Sequence, residues 1–199
     1  IGQNCPGVEV RISSEGEVLV RSEATMQGYF KEPGKTAETL TLDGSLRTGD
    51  KGEQDEEGNL RLTGRIKEIF KTSKGKFVAP APIENRMAVD TRLEQICVVG
   101  EGMVQPLAIC VLSEAGRSAA NGEGRIELES ALRSLLAQIN GELDKHEQLR
   151  GIVLVKDVWA VENGYLTPTL KLKRAVIESS YGKHFEDWLQ RCDAVLWQE

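Results

Sequence analysis

The stretch GRIKEIFKTSKGKFVAPAPIE, residues 64–84, stands where the pattern of the sequence changes. Before it, residues 8–21 read VEVRI, a polar SSEGE turn and VLVR, an alternation that predicts two half-buried strands joined as a hairpin. A further strand is predicted at residues 59–63 (NLRLT), and a short helix is predicted to begin near Pro33. The first third of the chain is therefore predicted to be rich in β-structure.

After residue 64, apolar strands alternate with helices. The best supported helix spans residues 126–143, where apolar residues recur at three- and four-residue spacing and so share one face. The segment SEAGRSAANGEGR, residues 113–125, is small and polar and contains glycine, which predicts an exposed loop. Strands are predicted at residues 95–99, 107–112 and 152–155, and further helices near residues 173–179 and 184–196. The pattern as a whole predicts an α+β chain: a β-rich part followed by a mixed α/β part.

Composition sets outer limits on the function. With 199 residues, 40% hydrophobic and 28% charged, the chain lies in the ordinary range of globular proteins. No apolar run approaches the roughly 18 residues that span a bilayer, and no leader-like segment opens the chain, so we expect a cytoplasmic protein. The net charge of -6 disfavours a nucleic-acid partner, because phosphate binding needs a clustered basic face. Since the chain begins at Ile1 without an initiator methionine, we expect a fragment.

The cysteines give no sign of chemistry. Cys5, Cys97, Cys110 and Cys192 are widely spaced, with no CxxC pair and no histidine at ligand spacing, so no metal site is predicted. We interpret all four as reduced cytosolic thiols. Cys97 and Cys110 lie in the apolar runs QICVVG and LAICVL, which predicts that they pack in the core.

Two charged residues near the change in pattern are candidates for binding. Asp50 closes the segment RTGD; such a residue commonly caps a turn, but its carboxylate can also accept hydrogen bonds from two adjacent hydroxyls, as a ribose presents. Arg65 is either a solvated charge at a domain edge or a cationic fork that holds a nucleotide.

Two lysine-containing segments are further candidates. The KGK stretch at residues 74–76 is not a Walker loop, because positions 70 and 77 are both phenylalanine. Lys171 lies in NGYLTPTLKLKR, residues 163–174; it is either part of a solvated helix start or a lysine that the LTPT turn carries into the cleft of another domain.

Three segments, in this order and at this separation, resemble the C-terminal motifs of the adenylate-forming superfamily of acyl-CoA synthetases, luciferases and peptide-synthetase adenylation domains. They are RTGD (residues 47–50), the stretch of residues 64–84, and residues 163–174. GEVLVRSEATMQGYFKEPGKTAETL, residues 16–40, is similar to the family's stretch before its ribose-binding aspartate. VAPAPIE and LTPTLKLKR resemble the long-chain fatty acyl branch. Ser45 departs from the pattern, since many relatives carry a large aromatic residue there. The resemblance implies a fatty acid–CoA ligase in which residues 1–63 end the large AMP-binding domain and residues 68–199 form a lid domain.

The resemblance also implies residue roles. Asp50 would hold the ribose hydroxyls of ATP or AMP, Arg65 would support the same nucleotide, and Lys67 would be the hinge residue within residues 64–67. In one lid orientation Lys171 would bridge the fatty-acid carboxylate and the α-phosphate. In the other, the loop at residues 74–78 would replace it, so that CoA attacks the acyl adenylate.

Within that loop, Gly75 would line the pantetheine channel between Lys74 and Lys76. The implied partners are the missing N-terminal domain, a fatty acid and CoA, together with ATP and a Mg²⁺ ion whose site lies outside these residues. Peripheral contact with a membrane stays open. Two other interpretations remain: a non-catalytic interaction module with the lid fold, and an adenylation-domain tail that serves a carrier protein.

Overall fold

A computed structural model describes residues 2–122, 124–191 and 193–198. The chain divides into two compact units, Ile1–Ile69 and Phe70–Glu199. The segment of residues 64–67 thus lies at the end of the first unit, and the break follows Ile69. Cys192, expected to be a reduced thiol, lies outside the described residues.

The first unit is built on a four-stranded antiparallel sheet in which the strands follow chain order. Its elements are β1 (Glu9–Ile12), β2 (Glu17–Arg21), α1 (Pro33–Thr39), β3 (Leu46–Gln54) and β4 (Leu60–Arg65). A 3-10 turn, Ile66–Glu68, follows β4. The predicted hairpin, the strand near residues 59–63 and the helix beginning at Pro33 are confirmed. The sequence pattern missed β3, which contains the RTGD segment.

The second unit contains a two-stranded hairpin and a four-stranded sheet. Its elements are β5 (Phe70–Lys71), β6 (Phe77–Val78), α2 (Pro80–Met87), β7 (Leu93–Val99), β8 (Leu107–Leu112), α3 (Glu114–Ala119), α4 (Gly124–Glu142), β9 (Ile152–Val155), α5 (Arg174–Tyr181), α6 (Phe185–Gln190) and β10 (Val195–Trp197). The sheet order is β10-β9-β8-β7, with β7 antiparallel to β8 and the other two pairs parallel.

Both faces of this sheet are buried, which explains why its two central strands, β8 and β9, are continuously apolar. Alternate strand residues point to opposite faces, so Cys110 joins the cluster with α2 and α4, and Cys97 joins the cluster with α5 and α6. Neither cysteine has exposed surface, as predicted, and burial raises the pKa of the Cys110 thiol well above its usual value. The α+β class predicted from the sequence is confirmed.

Two predictions about elements were wrong. Residues 113–125 are not simply a loop, because α3 forms there: the Ser113 hydroxyl accepts a hydrogen bond from the Gly116 amide at 3.1 Å and caps the helix. Gly116 is buried, and a Cβ there would lie 2.2 Å from the Arg92 carbonyl oxygen. The helix predicted over residues 184–196 ends at Gln190, and the apolar residues that follow pair with β9 as the parallel edge strand β10.

Candidate functional site

Asp50 and Arg65 are direct neighbours across β3 and β4. The Arg65 Nε atom lies 3.0 Å from Asp50 Oδ1, and the two side chains are 52% and 26% exposed. An ion pair this exposed contributes only about 0–1 kcal/mol to stability, so the fold does not need it. The pairing brings both predicted nucleotide-binding residues to one place, with a carboxylate and a guanidinium reachable from solvent.

The RTGD segment of β3 is held in place by Glu17, which sequence reasoning missed. This carboxylate is only 7% exposed, and it accepts hydrogen bonds from Arg47 Nη1 at 3.1 Å and from the Gly49 amide at 3.0 Å. Thr48 donates its hydroxyl to the Val18 carbonyl oxygen at 2.7 Å. Charge-assisted hydrogen bonds to a buried carboxylate are strong, so the backbone that carries the next residue, Asp50, is fixed. The sequence signal was a glutamate at the start of an otherwise apolar strand, EVLV.

A cleft of ≈540 Å³ opens beside the RTGD segment. Gly49, Arg65 and Lys67 line it, together with seven further residues of the first unit: Glu17, Tyr29, Glu38, Thr39, Arg47, Thr48 and Glu68. Gly49 has a φ of +72°, a left-handed conformation that glycine adopts without strain. Lys67 lies in the 3-10 turn and is exposed. The structure therefore places the predicted hinge residue and the predicted nucleotide-binding arginine around one cleft.

Ser45, which departs from the motif, makes polar contacts with residues of the first unit. It is 1% exposed, accepts a hydrogen bond from Arg11 Nη2 at 2.8 Å and donates to Asp43 Oδ2 at 3.2 Å. Asp43 also pairs with Arg11. A hydrogen bond from Thr41, aided by Arg11, lowers the pKa of Asp43 to about 2. Hydrogen bonds thus satisfy the buried hydroxyl of Ser45, three residues before the start of TGD.

Lys74, Gly75 and Lys76 form the tip of the hairpin between β5 and β6, and all three are exposed. The buried Thr72 closes this turn, because its carbonyl accepts from the Gly75 amide and its amide donates to the Lys76 carbonyl, both at 2.9 Å. Gly75 has a φ of +76°, and a Cβ added there would meet only the Lys71 side chain, at 3.7 Å. Gly75 therefore adopts the left-handed conformation of this turn without strain, and the space where a side chain would lie is open.

Lys171 lies at the end of a turn that Thr167 closes from both sides. The Thr167 amide donates to the Lys171 carbonyl at 2.8 Å, and the Thr167 hydroxyl accepts from the Lys171 amide at 3.0 Å. Leu170 donates its amide to the Thr167 carbonyl at 2.8 Å and has a φ of +59°. A leucine in the left-handed region costs about 1 kcal/mol relative to glycine. The Lys171 side chain is exposed, as a residue that serves another domain would need to be.

An aromatic cluster anchors this turn to the core of the second unit. Leu166 and Leu172 form a β-bridge across the base of the turn. Tyr165, in the preceding segment, stacks with Trp159 and Tyr181 at centroid distances of 6.0 and 6.2 Å. Because the packed rings and the β-bridge hold the turn against the core, Lys171 projects from a defined position.

A partly buried ion pair links the helix after the Lys171 turn to the helix after the 74–76 loop. Arg174 begins α5 and Glu84 lies in α2; their side chains are 15% and 16% exposed, and Arg174 Nη2 donates to Glu84 Oε1 at 2.8 Å. Val98 of β7 takes part through its backbone, as its amide donates to Glu84 Oε1 at 2.7 Å and its carbonyl accepts from Arg174 Nη1 at 2.6 Å. The two helices that follow the lysine-bearing loops are therefore both bonded to β7.

The sequence matches the model of the AMP-binding enzyme C-terminal domain family over residues 67–191. The chain belongs to this family. The match covers more than half of the 199 residues, and the resemblance to adenylate-forming enzymes predicted from the three motifs is confirmed.

Curated relatives extend the similarity into the first unit. The chain is 34% identical over 187 residues to long-chain-fatty-acid–CoA ligase 1 of Cavia porcellus, covering 87% of the chain and 27% of that protein. It is 32% identical over 199 residues to the putative fatty-acid–CoA ligase fadD11 of Mycobacterium tuberculosis, covering 94% of the chain and 35% of that protein. The chain thus spans about a third or less of the length of these relatives.

Solved structures share the fold. The adenylation domain of the carboxylate reductase from Mycobacterium chelonae matches with a TM-score of 0.76 and 27% identity, over 88% of this chain and 28% of that one. The amide bond synthetase McbA from Marinactinospora thermotolerans matches with a TM-score of 0.67 and 27% identity, over 91% of this chain and 36% of that one. The mixed α/β architecture is therefore that of adenylate-forming enzymes.

Two features are absent from the part of the chain that the structure describes. Within residues 2–122, 124–191 and 193–198, no helix is long and apolar enough to cross a membrane. Over the same ranges, no three or more histidine, cysteine, aspartate or glutamate side chains are grouped so that they could hold a metal ion.

Proposed function

We propose that the chain is the C-terminal part of a fatty acid–CoA ligase that makes an acyl adenylate from ATP and then transfers the acyl group to CoA. The observation that carries the proposal is the exposed Lys171 on a turn closed by Thr167, in a domain of the AMP-binding enzyme family. The names of the curated relatives, which are fatty-acid–CoA ligases, support the substrate class.

Asp50 and Arg65 bind the nucleotide in this proposal. A carboxylate accepts hydrogen bonds from the two adjacent ribose hydroxyls, which donate, and a guanidinium beside it holds the same nucleotide through its planar set of donors. Support comes from the 3.0 Å ion pair, which keeps both groups at one edge of the β3–β4 ladder, and from Glu17, which fixes the RTGD backbone.

Lys171 serves the first reaction. A fatty-acid carboxylate oxygen attacks the α-phosphorus of ATP, the bond from that phosphorus to the pyrophosphate oxygen breaks, and acyl-AMP and pyrophosphate result. Both reactants are anionic, so an ammonium between them lowers their repulsion and stabilises the charge that spreads over the phosphate oxygens. The β-bridge and the hydrogen bond that hold the Lys171 turn support this role, because such stabilisation depends on a positioned charge.

The loop at residues 74–78 serves the second reaction. The CoA thiol loses its proton and its sulfur attacks the acyl carbonyl; the bond from the carbonyl carbon to AMP then breaks, which leaves the acyl thioester and AMP. Gly75 lines the channel for the pantetheine arm, because its missing side chain lets a ligand approach the backbone. Lys74 and Lys76 flank it and are exposed, which suits contact with the phosphates of CoA.

Lys67 is the hinge residue of the proposal, within residues 64–67. One site can run both reactions only if Lys171 withdraws before the 74–78 loop enters, and a few residues between domains absorb such a rotation. In this arrangement residues 1–63 end the large AMP-binding domain and residues 68–199 form the lid. The position of Lys67, two residues before the last residue of the first compact unit, supports this assignment.

The remaining partners follow from the chemistry. ATP in such enzymes carries Mg²⁺, and we assign the site of this ion to a part of the protein outside the described residues. The missing N-terminal domain supplies the rest of the site. We assign the protein to the cytoplasm, where ATP and CoA are available, with peripheral contact to membranes that supply fatty acid.

Two alternatives are less well supported. An adenylation-domain tail that serves a carrier protein would be expected among peptide synthetases, whereas the curated relatives are named CoA ligases. A non-catalytic interaction module has no need for Asp50, Arg65 and Lys171 together.

Ligase activity of the full-length protein tests the proposal. With ATP, Mg²⁺, CoA and palmitate, the protein should form palmitoyl-CoA and AMP, and without CoA it should exchange labelled pyrophosphate into ATP only when fatty acid is present. Exchange with amino acids but not with fatty acids would favour the carrier-protein alternative. Absence of exchange with any carboxylic acid would favour the interaction module.

A further inference from the structure

The hydroxyl of Tyr181 is bonded on both sides within the second unit. The side chain is 2% exposed, and its hydroxyl donates to Asp157 Oδ2 at 2.7 Å and accepts from Trp159 Nε1 at 3.1 Å. Burial raises the pKa of Tyr181, and the bond to Asp157 adds to this, so the hydroxyl stays protonated and donates. A phenylalanine would fill nearly the same space, so what the hydroxyl adds to the packing is a fixed orientation of the ring.

The helix α5 is bonded at both ends, and the Lys171 turn leads directly into it. The helix begins at Arg174, three residues after Lys171, and its last residue is Tyr181. Arg174 donates to the Glu84 carboxylate at 2.8 Å and fixes the first turn of the helix, while the Tyr181 hydroxyl fixes the last. A helix held at both ends has little freedom to rotate or to slide along the sheet, so the chain enters it from a defined direction.

The same aromatic cluster holds the other side of the Lys171 turn. Tyr165 stacks on Trp159 and Tyr181, with ring centroids 6.0 and 6.2 Å apart. The Tyr165 carbonyl accepts a hydrogen bond from the Lys173 amide at 2.8 Å, so the segments before and after Lys171 are tied to each other. A change in the orientation of the Tyr181 ring would therefore move both segments.

We propose that Tyr181, oriented by Asp157, is a positioning residue that places Lys171 for the adenylation reaction, an inference that rests on the proposed function. The hydroxyl fixes the ring on which Tyr165 stacks, and that stack fixes the turn. A hydrogen bond contributes little net stability, but it has a preferred direction, which apolar packing lacks. Because a misplacement of about 1 Å can cost about 100-fold in rate, catalysis is more sensitive to this direction than folding is.

Three variants of the full-length protein test this role. Tyr181→Phe keeps the ring and removes both hydrogen bonds. Asp157→Ala removes the acceptor alone, whereas Asp157→Asn keeps an oxygen that can accept from the hydroxyl. Ile139→Val is the matched control: it deletes one buried methyl group from α4, in the core cluster on the opposite face of the sheet, and so lowers stability without touching the aromatic cluster.

Tyr181→Phe and Asp157→Ala should lower kcat for fatty-acid-dependent ATP–pyrophosphate exchange by about tenfold, with KM for ATP and for fatty acid within about twofold of wild type. Thioester formation from supplied acyl-AMP and CoA should stay within about twofold of wild type, because Lys171 takes no part in it. Asp157→Asn should keep at least about half of the wild-type exchange rate. Ile139→Val should exchange at the wild-type rate, although its melting temperature falls as much as that of Tyr181→Phe.

A double variant tests whether Tyr181 acts through Lys171. Once Lys171→Ala has removed the lysine, Tyr181→Phe should lower the residual exchange rate by no more than about twofold, since no lysine is left to position. A further loss of about tenfold in the double variant would overturn the inference, because the two residues would then act independently.

Three other results would also overturn it. Wild-type exchange by Tyr181→Phe, an equal loss in both half-reactions, or a loss of exchange in Ile139→Val as large as in Tyr181→Phe would each show that the hydroxyl does not position Lys171. Exchange by the wild-type protein is measured first: if none depends on fatty acid, the proposed function fails, and Tyr181 has no such role either. Wild-type activity that the Tyr181 and Asp157 variants leave unchanged would leave the proposed function intact and remove only the role of Tyr181.

Discussion

Glu84 and Arg174 lie 90 positions apart in the sequence and form a 2.8 Å ion pair that is mostly shielded from solvent. Glu84 Oε1 also accepts the Val98 amide, so one carboxylate oxygen ties α2 and α5 to the same strand of the sheet. Each helix follows one of the two lysine-bearing loops. The pair therefore ties the two loops together within the second unit, as the proposed rotation of this unit as a lid requires.

Removing one partner of this pair should destabilise the second unit. In Glu84→Ala, the partly buried Arg174 guanidinium and the Val98 amide each lose an acceptor, which should cost about 1–3 kcal/mol. Denaturant unfolding of the chain, followed by tryptophan fluorescence, measures the change, because all three tryptophans lie in the second unit. Glu94→Ala is the control: its pair with Arg117 spans 3.7 Å with both side chains about half exposed. A loss as large in the control would argue against the burial explanation.

Replacement of Glu17 should weaken nucleotide binding, although this residue lies in none of the three sequence motifs. In Glu17→Ala, Arg47 and the Gly49 amide lose a buried acceptor, so the RTGD backbone loosens and the first unit loses about 1–3 kcal/mol. In the full-length protein the KM for ATP should rise more than the rate constant falls. Glu15→Ala, an exposed glutamate on the same hairpin, should change neither quantity. An unchanged KM for ATP in Glu17→Ala would separate Glu17 from the nucleotide site.

Gly75 should affect the second half-reaction selectively. Gly75→Ala strains a backbone with a φ of +76° and places a methyl group on the proposed pantetheine channel, so thioester formation from acyl-AMP should slow by at least about tenfold. ATP–pyrophosphate exchange should remain near wild type. Gly182→Ala provides the matched control, since Gly182 has a φ of -52° and nothing within 4 Å of an added Cβ. Slower exchange with normal thioester formation would contradict the assignment of this loop.

The sequence predicted those elements whose pattern is set locally. Strict alternation gave the first hairpin, and the apolar face of residues 126–143 gave α4, which spans Gly124–Glu142. β3 was not predicted because LRTGDKGEQ has almost no apolar alternation. Pairing with strands on both sides holds it in the sheet instead. β10 was misassigned because a short apolar run has no period that distinguishes a strand from a helix.

The candidate site was predictable where a motif carries it. Asp50, Arg65 and Lys171 each stand in a recognisable segment, and the structure shows that the first two are cross-strand partners. The sequence marked Glu17 only as a glutamate at the start of an apolar strand and gave no sign of the Glu84–Arg174 pair, because both depend on contacts between segments 30 to 90 residues apart. Nor could the sequence show that Leu170 lies at a positive φ, since leucine rarely adopts that conformation.

In the proposed function Lys171 acts in adenylation and leaves the site before thioester formation. Its most direct test is the pair of half-reactions in full-length Lys171→Ala, with Lys173→Ala, an exposed lysine two residues on, as the control. We predict a fall of about 100-fold or more in fatty-acid-dependent ATP–pyrophosphate exchange in the first variant, the scale of losing one positioned charge-stabilising group. Thioester formation from acyl-AMP should persist, and the control should retain both activities. Full exchange in Lys171→Ala, or an equal loss of both half-reactions, would contradict the claim.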